Sequence, residues 1–303
     1  LIMMYFRIGK ILYENGLNDF YFIGKVATEL RLEFPSTKGF SIRNLRNMRD
    51  FYAEYKDDRT RQQLVAGLSW SHNLLLLSKI KDRAIREIYM RATIENGWSR
   101  NVLAMQIENK YHERIGKSAN NFKKALPPAD SDLVNNMVKD PYIFDFLTLR
   151  EGYKEKELES AIIERIRDVL LELGNGFTFV GNQYKITVGK KDYYIDLLFY
   201  HLKLKRFIVV ELKNTEFIPE YAGKMNFYLS AVDDLIKSDT DEPSIGLILC
   251  KEKDGFSAQY SLQDINKPIG VSAFQTQSLL PPEILNELPT EEDLNLHINL
   301  PED

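Results

Sequence analysis

The stretch YYIDLLFYHLKLKRFIVVELKNTEF, Tyr193 to Phe217, constrains this chain more than any other part of it. Its two apolar runs, Tyr193–Tyr200 and Phe207–Lys213, have the length and composition of strands buried in the middle of a sheet. Yet Asp196 interrupts the first run, and Glu211 and Lys213 end the second. Side chains of a strand alternate between faces, so Val209, Glu211 and Lys213 are expected on one face, and Tyr194 and Tyr200 on the face of Asp196. Ionisable groups in such positions are costly unless paired or bound to a metal. A carboxylate and an ammonium two residues apart on one face can share a single cation-and-phosphate site.

Helix geometry supplies a third carboxylate. A helix is expected from about Glu155 to Leu173, ended by Gly174-Asn175-Gly176. With Leu158 at zero and about 100° per residue, Leu158, Val169, Ile162, Leu173, Ile166 and Leu170 span an arc of roughly 0–120°. Glu159 falls at about 100°, inside the arc, and Glu164 at about 240°, facing solvent. Glu155 also lies within the arc but one turn earlier, where the helix end frays, so Glu159 is the preferred candidate.

A phosphodiester is anionic and repels hydroxide, so its hydrolysis calls for a cation that neutralises the phosphoryl oxygens and lowers the pKa of a bound water. Mg²⁺, or Mn²⁺ in its place, takes oxygen ligands and keeps several waters, so two or three carboxylates suffice without histidine or cysteine. Asp196, Glu211 and Glu159 are the expected ligands. Lys213 beside them can orient the attacking water or offset charge building on the phosphate. The bland alternative is an interior salt-bridge network in a catalytically dead fold.

The rest of the chain frames this constellation. Apolar residues in the first half recur at three- and four-residue steps, giving helices at Ile2–Asn15, Asp19–Phe34, Ser41–Tyr55, Ser71–Ile80, Ala84–Asn96 and Ser99–Glu113. Ser41 and Ser99 read as helix starts. Pro127-Pro128 and Asp140-Pro141 punctuate residues 120–145 as an interdomain connection. Strands follow at Phe177–Val188, Tyr193–Tyr200 and Phe207–Lys213, then a helix at Pro219–Lys237 and strands at Ser244–Cys250 and Gly270–Thr276. This is α+β overall: an all-helical domain over 1–140, an α/β domain with a central mixed sheet over 151–280, and an acidic tail over 281–303.

Charge follows the same division. Residues 1–150 hold 24 Lys and Arg against 17 Asp and Glu, and residues 151–303 hold 16 against 27. A basic front half can release counterions from phosphate; an ordinary solvated helical surface has the same composition. No apolar run reaches the roughly 18 residues of a membrane span, and no leader pattern follows Leu1. Cys250 is the one cysteine, which excludes an internal disulfide. These features make the cytoplasm the expected location.

Helix–β–β–β–helix–β order, with Glu in the first helix and then D…(D/E)xK, resembles the PD-(D/E)xK superfamily of restriction-endonuclease-like nucleases. More narrowly, the chain is similar to the bacterial YhcG-type proteins, in which a helical N-terminal domain precedes such a nuclease domain. The strings LSWSHNLLLLSKI, ENGWSRNVLAMQI, LELGNGF, YIDLLFYH, VVELKNTEF and YAGKMNFYLSAVDD carry the resemblance, which runs from about Met4 to Phe274. It implies a metal-dependent endonuclease acting on DNA, with Glu159, Asp196, Glu211 and Lys213 as its centre. It also leaves open a catalytically weak nuclease-fold scaffold in a DNA-processing or defence assembly. Ile195 stands where the superfamily name has proline. Lys224 and Tyr228 stand where some relatives have Gln and Tyr; Lys224 can reach a phosphate as a point charge but lacks an amide's paired donor and acceptor.

The remaining candidates are weaker. Gln183 can order a water or hold the nucleic-acid backbone, or be a strand-surface amide. Arg43, Arg46 and Arg49, with Asn47, sit on and around one helix and can meet a DNA backbone, or form a solvated face. The turn at Gly97 feeding a helix is compatible with helix-turn-helix. His72 is expected to be structural at a helix start and Trp98 a core anchor. Symmetric double-strand cutting would call for a homodimer.

Overall fold

Five polar residues set where the helices of the first half begin. In the computed structural model, Ser41, Asp58, Ser69, Asp82 and Ser99 each accept a hydrogen bond from an otherwise unpaired amide of the first turn that follows. The structure describes residues 1–15, 20–35, 39–150 and 152–276; the expected acidic tail, 281–303, lies outside them. The chain divides into two compact units, the first Leu1–Glu113 and the second beginning at Arg114.

The first unit is helical: α1 (Ile2–Glu14), α2 (Phe20–Glu33), α3 (Ile42–Tyr55), α4 (Arg59–Ala66), α5 (Trp70–Lys79), α6 (Arg83–Asn96) and α7 (Arg100–Glu108), followed by the single turn α8 (Tyr111–Arg114). Tyr5, Leu12, Ile23, Leu45 and Met48 make one core of α1, α2 and α3. Gly9 sets the α1–α3 distance, because a Cβ there would lie 2.0 Å from the Met48 carbonyl oxygen. Gly97 adopts the left-handed conformation between α6 and α7 (φ 62°). Trp98 is buried edge-on against Tyr111, centroids 5.0 Å apart, and is a core anchor as expected. His72 lies in the first turn of α5, its Nδ1 2.6 Å from the capping Ser69 hydroxyl.

The second unit is built on a mixed sheet. Its elements are β1 (Ala119–Asn120), α9 (Phe122–Ala125), α10 (Pro128–Met137), β2 (Tyr142–Ile143), α11 (Glu155–Glu164), α12 (Ile166–Leu173), β3 (Phe177–Val188), β4 (Lys191–His201), β5 (Arg206–Glu216), α13 (Pro219–Leu235), β6 (Ile245–Glu252), α14 (Gly255–Leu262) and β7 (Ile269–Gln275). The strand order is β1-β7-β6-β5-β4-β3, with β2 also on β7. Strands β3, β4 and β5 pair antiparallel, whereas β5, β6 and β7 are parallel. The two parallel steps are made across α13 and α14, as parallel connections require. Leu197, Phe199, Val210 and Leu212 pack on one face with Leu158 and Ile162 of α11. Leu198, Val209, Ile248 and Cys250 pack on the other with Met225 and Leu229 of α13.

Two differences from the sequence reading bear on function. Residues 114–150 are not a connection outside the sheet domain. Strands β1 and β2 pair with β7, and Phe122, Val134 and Phe144 join the core beside α11. Buried Glu172 holds this segment: it ion-pairs with Arg114 at 2.5 Å and with Lys139 at 3.4 Å, and it accepts from the Ile143 amide. Second, the expected helix from Glu155 to Leu173 is two helices meeting at Arg165, whose φ and ψ are −113° and 27°.

Candidate active site

The site is a fork in the sheet. Strands β4 and β5 pair from His201↔Arg206 to Leu197↔Val210 and no further, while β5 stays paired with β6 beyond Glu211. The Leu212 amide, left without a strand partner on the β4 side, donates instead to Asp196 Oδ2 at 2.8 Å. The half-buried carboxylate thereby replaces a ladder carbonyl at the opening of the fork.

Asp196 reaches this place because β4 is not regular there. Ile195 packs with the α13-side core, whereas Leu197, two residues on, packs with the α11-side core. Regular alternation would put them on one face, so the expected shared face of Tyr194, Asp196 and Tyr200 does not hold. The cause lies in β3. Its register with β4 shifts between Phe179 and Gly181, and Gln183, between the pairs Asn182↔Leu197 and Tyr184↔Ile195, is left-handed at φ 42°. Bulges of this kind re-aim side chains.

Glu211 is completely buried, and Lys213 nearly so. Glu211 Oε1 accepts from Lys224 Nζ of α13 at 2.5 Å and lies 3.3 Å from Lys213 Nζ. Its Oε2 is buried with no hydrogen-bond partner. Lys213 Nζ is fixed by the Leu212 carbonyl at 2.8 Å and by Glu155 Oε2 at 3.1 Å. Burial, and then the charge of Asp196, push the Glu211 carboxyl up to about 7 despite the two ammonium groups. Burial works to lower Lys213 and Lys224, but Glu211 and the neighbouring carboxylates outweigh it and hold both above the usual lysine value.

Glu155 and Glu159 of α11 face the fork. Glu159 accepts from Asn182 Nδ2 at 3.0 Å and from Gln183 Nε2 at 2.8 Å, and the same Gln183 nitrogen lies 3.4 Å from Asp196 Oδ1. Glu155, set aside in favour of Glu159 because it stands in the first turn, is the one that pairs with Lys213. Glu155, Glu159, Asn182, Gln183, Asp196 and Leu212 line a cleft of about 560 Å³. Among the described residues no group of three or more His, Cys, Asp or Glu side chains is arranged to hold a metal ion; Glu159 and Asp196 are joined through the Gln183 amide. Asp196 and Glu211 nevertheless fit a hard divalent cation. They offer only oxygen donors, one oxygen is buried and unpaired, and the charge of Asp196 disfavours ionisation of Glu211, which a cation would relieve.

Two other roles differ from what the sequence alone implies. Lys224, expected on a phosphate, rests on Glu211, and Tyr228 one turn on donates to the Tyr194 carbonyl at 2.8 Å. Asn182 was not legible as a site residue, since strand-surface amides are common and only the bulge turns this one toward α11. In the first unit, Arg43 lines a cleft on α3 with Asn47, together with Arg100 at the start of α7. Arg49 pairs with Asp50 at 2.7 Å, and Arg46 is half-buried.

The part of the mixed-sheet unit that carries this fork falls within a PDDEXK nuclease domain. Residues 135–289 match the family described as the YhcG PDDEXK nuclease domain, and residues 1–114 match the DUF1016 N-terminal domain. The chain belongs to the YhcG family. It is 30% identical over 287 residues to the Escherichia coli (strain K12) protein named "Putative nuclease YhcG", covering 84% of this chain and 76% of that one. Among solved structures it is similar to a repair endonuclease from Pyrococcus abyssi (19% identity, TM-score 0.28, covering 43% of this chain and 50% of that one). It is also similar to EndoMS in complex with double-stranded DNA (15% identity, TM-score 0.31, covering 45% and 49%). The chain spans about half the length of each of these two structures.

Proposed function

We propose that this chain is a cytoplasmic, metal-dependent endonuclease that hydrolyses DNA phosphodiester bonds. The observation that carries the reading is the buried Glu211, with one unpaired oxygen, between Asp196 and Lys213 at the fork of β4 and β5. Asp196 and Glu211 would hold Mg²⁺ or Mn²⁺, with Glu159 at the margin of the same cleft. A bound divalent ion there supplies charge neutralisation of the phosphoryl oxygens and a more acidic water.

The chain's own groups do the rest. Lys213, held by the Leu212 carbonyl and Glu155, presents an ammonium of fixed orientation to the attacking water or to the charge developing on the phosphate. Gln183 holds Glu159 and Asp196 in register. Lys224, whose side chain is 43% exposed, is free to turn from Glu211 to a DNA phosphate. Arg43, Arg46 and Arg49 on α3 would contact the DNA backbone and add affinity that weakens with salt.

The test is cleavage of plasmid and branched DNA with Mg²⁺ or Mn²⁺ by wild type, Asp196→Ala and Lys213→Ala. The proposal expects cleavage by wild type and none by either variant. Equal cleavage by all three would place the reaction elsewhere or in a contaminant.

A further inference from the structure

A groove of about 690 Å³ lies between α9 and α14, at the β1 edge of the sheet, lined by residues that share nothing with the catalytic cleft. Phe256, Gln259 and Tyr260 of α14, with Gln263 just after it, recur at helical spacing on one exposed face, away from buried Ala258 and Leu262. Phe256 and Tyr260 are 74% and 75% exposed, one turn apart. Large rings left open at adjacent turns are unusual enough to mark a contact surface. Across the groove stand Lys123 and Lys124 of α9 and Asn135 of α10.

The charge of the groove narrows its occupant. None of the described residues lining this groove is acidic, and two of them, Lys123 and Lys124, are basic. Asp254, the acid that begins α14, caps the helix by accepting from the Ser257 amide at 2.8 Å. Lys124 is tied to the Gln263 carbonyl at 2.6 Å, and Lys123 is exposed. Open rings, side-chain amides and ammonium groups are what a single strand of nucleic acid uses: bases stack on the rings, amides meet base edges and lysines meet phosphates.

We propose that this groove takes unpaired bases of a DNA strand, with Phe256 and Tyr260 as the stacking surfaces and Lys123 on the phosphates. The proposal rests on the nuclease reading above and narrows its substrate to DNA with a single-stranded segment.

The test is fluorescence anisotropy of the full chain with a labelled single-stranded oligonucleotide and a blunt duplex, in EDTA. Wild type is compared with Phe256→Ala/Tyr260→Ala and with Lys123→Glu. Both sites are exposed, and circular dichroism checks the fold. We expect the double variant to lose at least about tenfold in single-strand affinity, with duplex binding unchanged, and Lys123→Glu to flatten the salt dependence. Unchanged single-strand affinity, equal loss on both substrates, or a dimer that the double variant converts to monomer would overturn the proposal. Cleavage assays on the same proteins separate the two readings. Asp196-dependent cutting with unaltered single-strand binding in the double variant sinks the groove alone. Ring-dependent binding without cutting by wild type sinks the nuclease reading alone.

Discussion

The Leu212 amide donates to the Asp196 carboxylate at 2.8 Å, where β4 and β5 stop pairing. One contact thus completes the backbone hydrogen bonding of a buried strand and fixes a carboxylate that lines the reaction cleft. The two roles separate by substitution. Asp196→Asn keeps an oxygen acceptor and should fold within about 1 kcal/mol of wild type, whereas Asp196→Ala should cost about 1–3 kcal/mol by orphaning the amide. Urea denaturation checks the stabilities, and both variants should be inactive on plasmid DNA.

Glu211 gives the second unit a pH dependence of definite sign. Its carboxyl is pushed up to about 7, mainly by burial, so the folded state holds a proton that the unfolded state has released. Stability from this group is complete below about 4.5 and is lost as pH rises through about 7, by up to roughly 3 kcal/mol without divalent ions. Denaturation across this range in EDTA should show the slope in wild type and its loss in Glu211→Gln. A saturating divalent ion should flatten the wild-type curve as well.

Gln183 combines a left-handed backbone with a bridging amide. Gln183→Gly relieves the conformational strain while adding unfolded-chain entropy, so stability should change by less than about 1 kcal/mol. Gln183→Ala keeps the strain and should be about 1 kcal/mol less stable than the glycine variant. Both lose the link between Glu159 and Asp196, and both should cut DNA at least tenfold more slowly, read from initial nicking rates.

Glu155 and Glu159 of α11 should fail in different ways. Glu155→Gln loosens Lys213 and should lower the turnover rate at saturating Mg²⁺ with little change in the Mg²⁺ needed. Glu159→Gln should raise the Mg²⁺ concentration for half-maximal rate. Metal titrations of the cleavage rate distinguish the two.

The strands and long helices were legible where their cause is local. The apolar runs flanking Asp196 and Glu211 placed β4 and β5 within a few residues, and Ser41 and Ser99 marked the helices they cap. Elements assembled from a distance were not legible. Strands β1 and β2 are two residues each and exist through their pairing with β7. Helix α4 buries only Val65, and α14 only Ala258 and Leu262, too little apolar surface for a periodic signal.

The site divides in the same way. Glu211 and Lys213 share a face because strands alternate, and that is readable from spacing. Helix phase alone could not choose between Glu155 and Glu159, because what separates them is partner chemistry: an ammonium for one and two amides for the other. The left-handed backbone at Gln183, opposite Asp196 on the neighbouring strand, carries no local sequence signal.

The most direct test of the catalytic centre is the nicking rate of supercoiled plasmid with Mg²⁺ by wild type and Glu211→Gln, compared at equal folded concentration. The Gln substitution removes one charge from a folded, buried position and leaves Asp196, Lys213, Glu155 and Glu159 in place. The account predicts nicking by wild type and a rate at least about 100-fold lower in the variant, with unchanged circular dichroism. Equal rates in the two proteins would contradict it.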